Sequence, residues 1–333
     1  MRRRAFLAGA MAVAAGVSRA VAQPAGGSRR LAIFSPSEPS TLMHEKSENR
    51  YYRALFEQLR RLGHIEGQNL KVEKFGRDQN KSGPAALAAD VLRSNPEIVY
   101  VVGPGAVLFK NANAKFPVVA LTADPIAQGL AQSLARPGGN ITGVSVDTGP
   151  SIHGKRIALL REMFPAMSKL AFLTLRMGWE GTQGQAARAV AETTGIGLIG
   201  LPLEFPASEA DYRSAVAQAL RDGADAIMVG DSPDVMRNHE LIPELIGATK
   251  LPAIYPFFEL VESGGLMAYS FDLAELNKQV ANDIDAILRG ANPAEIPFYQ
   301  ATKFEMSINL KTAKTLRLNV PATLLASADK VIE

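Results

Sequence analysis

Short apolar runs alternate with helix-length amphipathic stretches along almost all of this chain, and that alternation limits the fold more than any other feature. Runs at 30–34, 70–73, 98–102 and 118–122 read as strands, with 51–62, 84–93 and 106–114 as the helices between them. Within 51–62, Tyr52, Leu55, Phe56, Leu59 and Leu62 recur at helical spacing on one face, and Gly63 stops the helix. Pro84 stands at a first-turn position, where a missing N–H is tolerated. A second series follows Asn140, with helices at 155–164, 183–194, 210–221 and 233–248 and strands at 170–175, 198–203, 226–229 and 253–255. Strands that are apolar throughout and separated by helices predict parallel sheets covered on both faces. Two such series in one chain of 333 residues predict two α/β lobes, because long chains divide into separate cores.

Beyond residue 260 the chain reads as a strand at 266–270, a long helix at 273–289, a strand at 304–309 and a short helical end after Pro321. The segments 140–145, 266–271 and 302–309 read as crossings between the lobes, a three-segment hinge stiffer than a single linker. The expected division is 29–142 plus 271–301 for lobe 1 and 143–270 plus 302–333 for lobe 2, after an export signal over 1–22.

That signal has three parts. Arg2, Arg3 and Arg4 precede a short apolar run at 6–17, and Ala20-Val21-Ala22 forms a small-x-small cleavage site. The run is too short to span a bilayer core, which needs ~20 residues. Arg3-Arg4-Ala5-Phe6-Leu7 is similar to a twin-arginine signal, although Arg2 replaces the usual Ser or Thr; the general secretory route is the alternative. The expected location is the periplasm. The chain has no cysteine, so neither a lipid anchor at the cleavage point nor a disulfide is available, and the core alone must hold the fold. The formal charge of +3 comes from the signal: Arg2, Arg3, Arg4 and Arg19 lie within it and leave the mature chain near neutral. No Lys/Arg block with interleaved aromatics indicates a nucleic-acid partner.

Motifs for chemistry are sparse. The four histidines, His44, His64, His153 and His239, have no metal-ligand neighbour at helical or hairpin spacing. No G-x-S-x-G elbow, P-loop or H-E-x-x-H helix occurs. Gly103-Pro104-Gly105 follows a strand, but Leu108 stands where a dinucleotide fingerprint needs its third glycine. No catalytic group, metal or cofactor is expected.

Ligands of open α/β sheets bind beyond the carboxyl ends of strands, and the candidate contacts are drawn from those ends. Ser35 closes the first strand. Gly105 and Ala106 open a helix whose first N–H groups lack partners and suit an anionic group. Thr122 and Asp124 end the next strand, and Asp124 equally suits a cap ahead of Pro125. In the second series Trp179, the single tryptophan, is either a stacking platform or a packed edge residue. Asp231 either receives a ligand donor or caps the helix from Pro233. Tyr255 and Phe258, with Phe257 between them and Glu259 beyond, either face an aromatic ligand or pack in the core.

Several segments carry a resemblance. They are Gly63-His64-Ile65-Glu66-Gly67-Gln68-Asn69, Asp124-Pro125-Ile126-Ala127-Gln128-Gly129-Leu130 and Ser133-Leu134-Ala135-Arg136-Pro137-Gly138-Gly139-Asn140-Ile141-Thr142-Gly143. Near the C-terminus, Thr302-Lys303-Phe304-Glu305, Ile308-Asn309-Leu310-Lys311-Thr312-Ala313-Lys314 and the run 324–333 continue it. Together they resemble the ABC-transporter substrate-binding family that includes tryptophan- and aromatic-amino-acid-binding members. The resemblance implies a type I periplasmic binding protein with two Rossmann-like lobes, three crossings and hinge closure around a small ligand. It also implies partnership with a permease and an ATPase, and action as a monomer. Relatives commonly carry a hydroxyl in the turn that here reads Gly103-Pro104-Gly105-Ala106. Thr122 remains as a hydroxyl donor, and the ligand class widens to aromatic acids and other small carboxylates. The rival readings are an exported Rossmann-like enzyme and a ligand-sensing receptor subunit.

Overall fold

The computed structural model describes residues 28–79, 82–146 and 151–333; the export signal expected over 1–22 lies outside the described residues. Strand β1 (Arg29–Ser35) leads through helix α1 (Arg50–Arg61) to β2 (Leu70–Gly76), and α2 (Pro84–Ser94) leads to β3 (Ile98–Val102). A short α3 (Ala106–Asn111) precedes β4 (Val118–Thr122) and β5 (Ile141–Ser145). The chain then enters α4 (Ser151–Met163), β6 (Lys169–Leu175), α5 (Arg176–Glu180), α6 (Thr182–Thr194) and β7 (Gly197–Leu203). Next come α7 (Glu209–Arg221), β8 (Ala226–Val229), α8 (Pro233–Arg237), α9 (Leu241–Thr249), β9 (Ala253–Tyr255), α10 (Phe258–Glu262) and β10 (Met267–Phe271). Helix α11 (Leu273–Leu288) and β11 (Tyr299–Gln300) return to the first sheet. The second sheet is completed by β12 (Phe304–Asn309), α12 (Leu310–Thr315), α13 (Ala322–Ser327) and β13 (Lys330–Ile332).

The result is two lobes of α/β architecture. The first sheet has six strands in the order β11-β5-β4-β3-β1-β2, all parallel, and the second has seven in the order β13-β12-β10-β9-β8-β6-β7. The one antiparallel pairing of the second sheet is β10 with β12, with Met267 opposite Ile308 and Phe271 opposite Phe304. Central strands are buried on both faces, as their unbroken apolar sequences require: β4 and β8 are buried along their whole length. On the first sheet α1 and α11 cover one face, while Phe34, Phe109 and Phe116 build the other through edge-to-face contacts, Phe34 and Phe109 lying 5.1 Å apart. On the second sheet α4 and α6 lie on one side, with α7 and α9 on the other.

The chain leaves the first sheet after β5, re-enters it at Asp272 between β10 and α11, and leaves again at 301–303 between β11 and β12. One local departure from the sequence reading has a plain cause. The single helix expected over 233–248 is broken into α8 and α9, because Pro243 lacks an N–H and its ring crowds the carbonyl four residues back, at His239. Trp179 stands on the one-turn helix α5.

Candidate functional site

The carboxyl ends of both sheets face one another across a cavity of about 370 Å³. The first lobe contributes Val102, Gly103 and Pro104 after β3 and Thr122 to Asp124 after β4, with Tyr51 and Tyr52 from the start of α1. Asn49 caps that helix by accepting the Tyr51 N–H at 2.9 Å, which holds the two tyrosines at the cavity wall. The second lobe contributes Leu175 after β6, Gln183 at the start of α6, Phe205, Asp231 and Ser232 after β8, and Phe257 after β9. Phe271 and Asn277 line it from the return segment, and Asn277 Oδ1 accepts the Tyr100 hydroxyl at 2.9 Å.

The lobes touch around this cavity. At its rim Arg50 Nε donates to Glu259 Oε1 at 3.0 Å, and the Tyr51 hydroxyl donates to the same oxygen at 2.6 Å. The Arg50 guanidinium also lies over the Phe258 ring at 5.6 Å. Gly103 takes a left-handed φ of 78°, and a Cβ there would stand 2.8 Å from Pro233 Cγ of the opposite lobe. Glycine is therefore the residue that lets the lobes meet at this point.

Three of the expected contacts line the cavity. The Thr122 hydroxyl donates to Gln128 Oε1 at 2.7 Å. Asp124 Oδ1 accepts the N–H groups of Ile126 and Ala127, each at 2.9 Å, and so caps its own turn. Asp231 faces the cavity while both its oxygens take a bidentate pair from Arg156, at 2.6 and 2.8 Å.

The other expected contacts lie elsewhere. Gly105 and Ala106 turn into the core behind β1, where a Cβ on Gly105 would lie 2.5 Å from the Phe34 ring; Gly103 and Pro104 form the wall instead. Trp179 packs 6.3 Å from Phe172 and presses on Gly200, with Arg188 4.7 Å over its ring, so it is a packed edge residue of the second lobe. Tyr255 is a core residue against Gly265. Phe258 turns outward between Arg50 and Lys330, and its neighbour Phe257 faces the cavity. Ser35 is fully buried one layer behind the wall, beside Tyr52.

The sequence reading missed Glu38, the Tyr51–Tyr52 pair, Asn277 and Arg156. Arg156 is wholly buried, and its Nε donates to the Tyr269 carbonyl at 2.8 Å. Its signal was present: a cation four residues after Ile152 and four before Leu160, on the buried face of α4. Burial pushes the Asp231 carboxyl up, but the charge and hydrogen bonds of Arg156 outweigh it and hold it below its ordinary value. Next to this pair, burial pushes the His153 imidazole down to about 4, against the pull of Asp231, so the ring is neutral at neutral pH. At Glu38 burial prevails over Arg77, His239 and Arg237 and raises the carboxyl. Among the described residues no lysine, arginine or histidine lines the cavity. Among the described residues no group of three His, Asp or Glu side chains is arranged to hold a metal ion, and no helix is long and apolar enough to cross a membrane.

A cavity enclosed between the strand ends of two hinged lobes is the geometry of a solute receptor, and the family comparison decides which kind. The model of the ABC transporter substrate binding proteins matches residues 40–332. The chain belongs to that family. Substrate-binding proteins of this family bind small-molecule ligands and work with ABC transporter components. The chain is 21% identical over 290 residues to a tyrosine-binding protein of Clostridioides difficile, covering 83% of this chain and 79% of that one. In fold it is similar to a Streptococcus pneumoniae ABC domain solved in complex with L-Trp, with a TM-score of 0.79, 23% identity and coverage of 92% and 100% of the two chains. A conserved domain protein of Vibrio cholerae superimposes equally well, with a TM-score of 0.79, 21% identity and coverage of 92% and 99%.

Proposed function

We propose that this substrate-binding protein is the periplasmic receptor of an ABC importer. In this reading it closes on a small, aromatic, carboxylate-bearing ligand and releases it unchanged to a permease driven by an ATPase. The observation that carries the reading is the interlobe cavity itself. Its volume of about 370 Å³ lies within the ~300–1,000 Å³ range of small-molecule sites, and Tyr51, Tyr52, Phe205, Phe257 and Phe271 supply rings from both lobes. Such a wall suits a flat apolar body by burial and by edge-to-face contact. The relatives named for tyrosine and crystallised with L-Trp favour the same ligand class. Thr122, Asp124 and Asp231 line the cavity at the strand ends as proposed polar contacts, each also held by a partner within the protein.

Export rests on the N-terminal pattern at 1–22, with cleavage after Ala22. The lobes expected at 29–142 plus 271–301 and 143–270 plus 302–333 are proposed with the first boundary moved past Ser145, because Val144 and Ser145 pair with Tyr299 and Gln300 in the first sheet, while β12 pairs with β10 in the second. The receptor acts as a monomer.

Titration calorimetry of the mature protein against L-tyrosine, L-tryptophan, L-phenylalanine and the matching aromatic acids tests the ligand class. Saturable one-to-one binding with a negative heat-capacity change is expected for at least one of them. A protein that ignores every aromatic compound but binds an aliphatic amino acid or a sugar refutes the aromatic reading.

A further inference from the structure

One corner of the cavity contains a carboxylate without a direct ion pair or hydrogen bond among the described residues. The chain turns back after β1 through a bond from the Glu38 N–H to the Ser35 carbonyl at 3.3 Å, and the Arg77 N–H fixes the Glu38 carbonyl at 2.7 Å. This turn brings the Glu38 side chain to the cavity wall, where neither a hydrogen bond nor an ion pair holds it among the described residues. The cations that act on it are engaged elsewhere or solvated. Arg237 pairs with Asp234 at 3.1 Å and bonds the Ala207 carbonyl at 3.0 Å, the His239 ring meets the Met236 carbonyl at 3.1 Å, and Arg77 is exposed.

Two hydroxyls share the corner. Tyr52 lines the cavity and is 3% exposed, and its phenol is raised by burial and further by the charge of Glu38. Ser35 lies beside it, fully buried. The two hydroxyls lie within reach of each other, and beyond that contact neither has a hydrogen-bond partner among the described residues. Buried polar groups are nearly always satisfied, so two hydroxyls with no partner beyond each other, next to an unpaired, partly desolvated carboxylate, call for an explanation. The rest of the polar wall offers the contrast. Asp231 is neutralised by Arg156, Asp124 is occupied by backbone N–H groups, Thr122 donates to Gln128, and Tyr100 and Tyr51 donate to Asn277 and Glu259.

What the corner lacks is a cationic donor. We propose that Glu38, Tyr52 and Ser35 form the acceptor for a charged amino group of the ligand, with Glu38 as the residue that selects amino-bearing ligands over the corresponding acids. An ammonium carries three N–H donors: the Glu38 carboxylate and the Tyr52 hydroxyl oxygen accept from it, and Ser35 orients the phenol from behind. Asp231 is unsuited to this task, since Arg156 already occupies both of its oxygens. The inference rests on the reading of the interlobe cavity as the ligand site and adds the amino group to it.

Matched pairs that differ by one amino group test it: L-phenylalanine against 3-phenylpropionate, and L-leucine against 4-methylpentanoate. Each is titrated by calorimetry into the mature wild type and into the Glu38→Gln and Tyr52→Phe variants. The wild type is expected to bind the amino member of its preferred pair at least ~30-fold more tightly, the effect of leaving a buried charge without its partner. Glu38→Gln brings that ratio close to unity by weakening the amino member, and Tyr52→Phe reduces it by about tenfold. Glu38→Gln keeps the ligand-free melting temperature of the wild type or exceeds it, because it removes a desolvated charge with no direct partner among the described residues, and Tyr52→Phe, which gives up only the contact with Ser35, stays close to it. Should Glu38→Gln fail to fold, Tyr52→Phe carries the comparison alone. Acids that bind the wild type within about threefold of their amino partners overturn the proposal, as does a Glu38→Gln variant that retains the wild-type ratio. A large ratio within the leucine pair combined with no binding of phenylalanine rejects the aromatic reading and leaves this one standing. A wild type that binds no member of either pair overturns both.

Discussion

Replacing Arg156 by Met should unfold the second lobe more readily than any comparable change on the surface of α4. Arg156 is 0% exposed and the Asp231 side chain 11%, so its removal strands a buried carboxylate next to a neutral His153. Breaking a buried pair from one side costs about 3–5 kcal/mol, whereas replacing both partners with apolar groups is close to neutral. The variant Arg156→Met should therefore lose about 3–5 kcal/mol at pH 7, and Arg156→Met with Asp231→Leu should return to within about 1 kcal/mol of wild type. Trp179 is a built-in reporter, because it is the single tryptophan and packs on Phe172 in the same lobe. Its emission, followed through urea unfolding, gives the stability of the lobe that holds the pair.

The same pair predicts a pH signature. In the wild type Arg156 holds the Asp231 carboxyl below its unfolded value of about 3.9, so its stabilisation is full at neutral pH and lost as pH falls through the folded value. In Arg156→Met the carboxyl rises instead, and its penalty fades as the group takes up a proton. The gap between wild type and variant should narrow from pH 7 toward pH 4. A loss below about 1 kcal/mol at pH 7, a double variant as unstable as the single one, or a gap independent of pH would refute the argument.

Three further outcomes follow from the cleft and the core. Glu259→Gln removes the charge shared by Arg50 and Tyr51 across the rim, a partly solvated contact worth about 1–2 kcal/mol; ligand affinity should fall roughly 5- to 30-fold, chiefly through faster dissociation in stopped-flow. Gly103→Ala puts a Cβ against Pro233 at a left-handed φ, so calorimetry should show binding weakened by more than about tenfold while stability drops by about 1 kcal/mol. Burial pushes the Asp283 carboxyl up to about 7, so its contribution to stability declines as pH rises from about 4 to about 7; Asp283→Asn should remove that slope and stabilise the protein at pH 8 by on the order of 3 kcal/mol in urea unfolding.

The lobes were legible because the pattern that encodes them is local. Apolar runs of strand length and helices of period 3.6 announce themselves within a short window, and their alternation implies parallel order. The strand ends could be placed for the same reason, and Thr122, Asp124 and Asp231 lie at them. What a window cannot show is which of two adjacent residues turns toward the cleft. Phe257 faces the cavity and Phe258 the outside; Gly103 and Pro104 form the wall while Gly105 and Ala106 face the core. One residue of offset at a strand end reverses the side that a side chain faces. Pairings across long separations are equally hidden. Arg156 meets Asp231 75 residues later, and Tyr51 meets Glu259 208 residues later. Glu38 in particular has no local signature, since an acid in a turn after a strand reads as solvated until the opposing lobe desolvates it.

That desolvation also determines how closure and ligand are linked. Among the described residues the lobes meet at the rim through the Arg50–Tyr51–Glu259 cluster and the apposition of Gly103 with Pro233. Between them the closed lobes enclose a hollow lined with rings and an unpaired carboxylate. Closing without a ligand therefore gains a partly solvated ion pair and strips water from Glu38 without replacing it, a balance that favours the open form. A ligand reverses the balance in the cavity itself, where its body fills the hollow and its amino group takes the place of the lost water. A ligand shifts a two-state equilibrium only by its differential affinity for the two states, and here that differential is concentrated in groups reached from both lobes at once. Glu38→Gln should accordingly close more readily when empty while gaining less from an amino-bearing ligand, and scattering of the ligand-free variant should report a smaller radius of gyration than the wild type. An unchanged radius would mean that the desolvation of Glu38 does not hold the empty receptor open, and the rim contacts would then have to set the resting state.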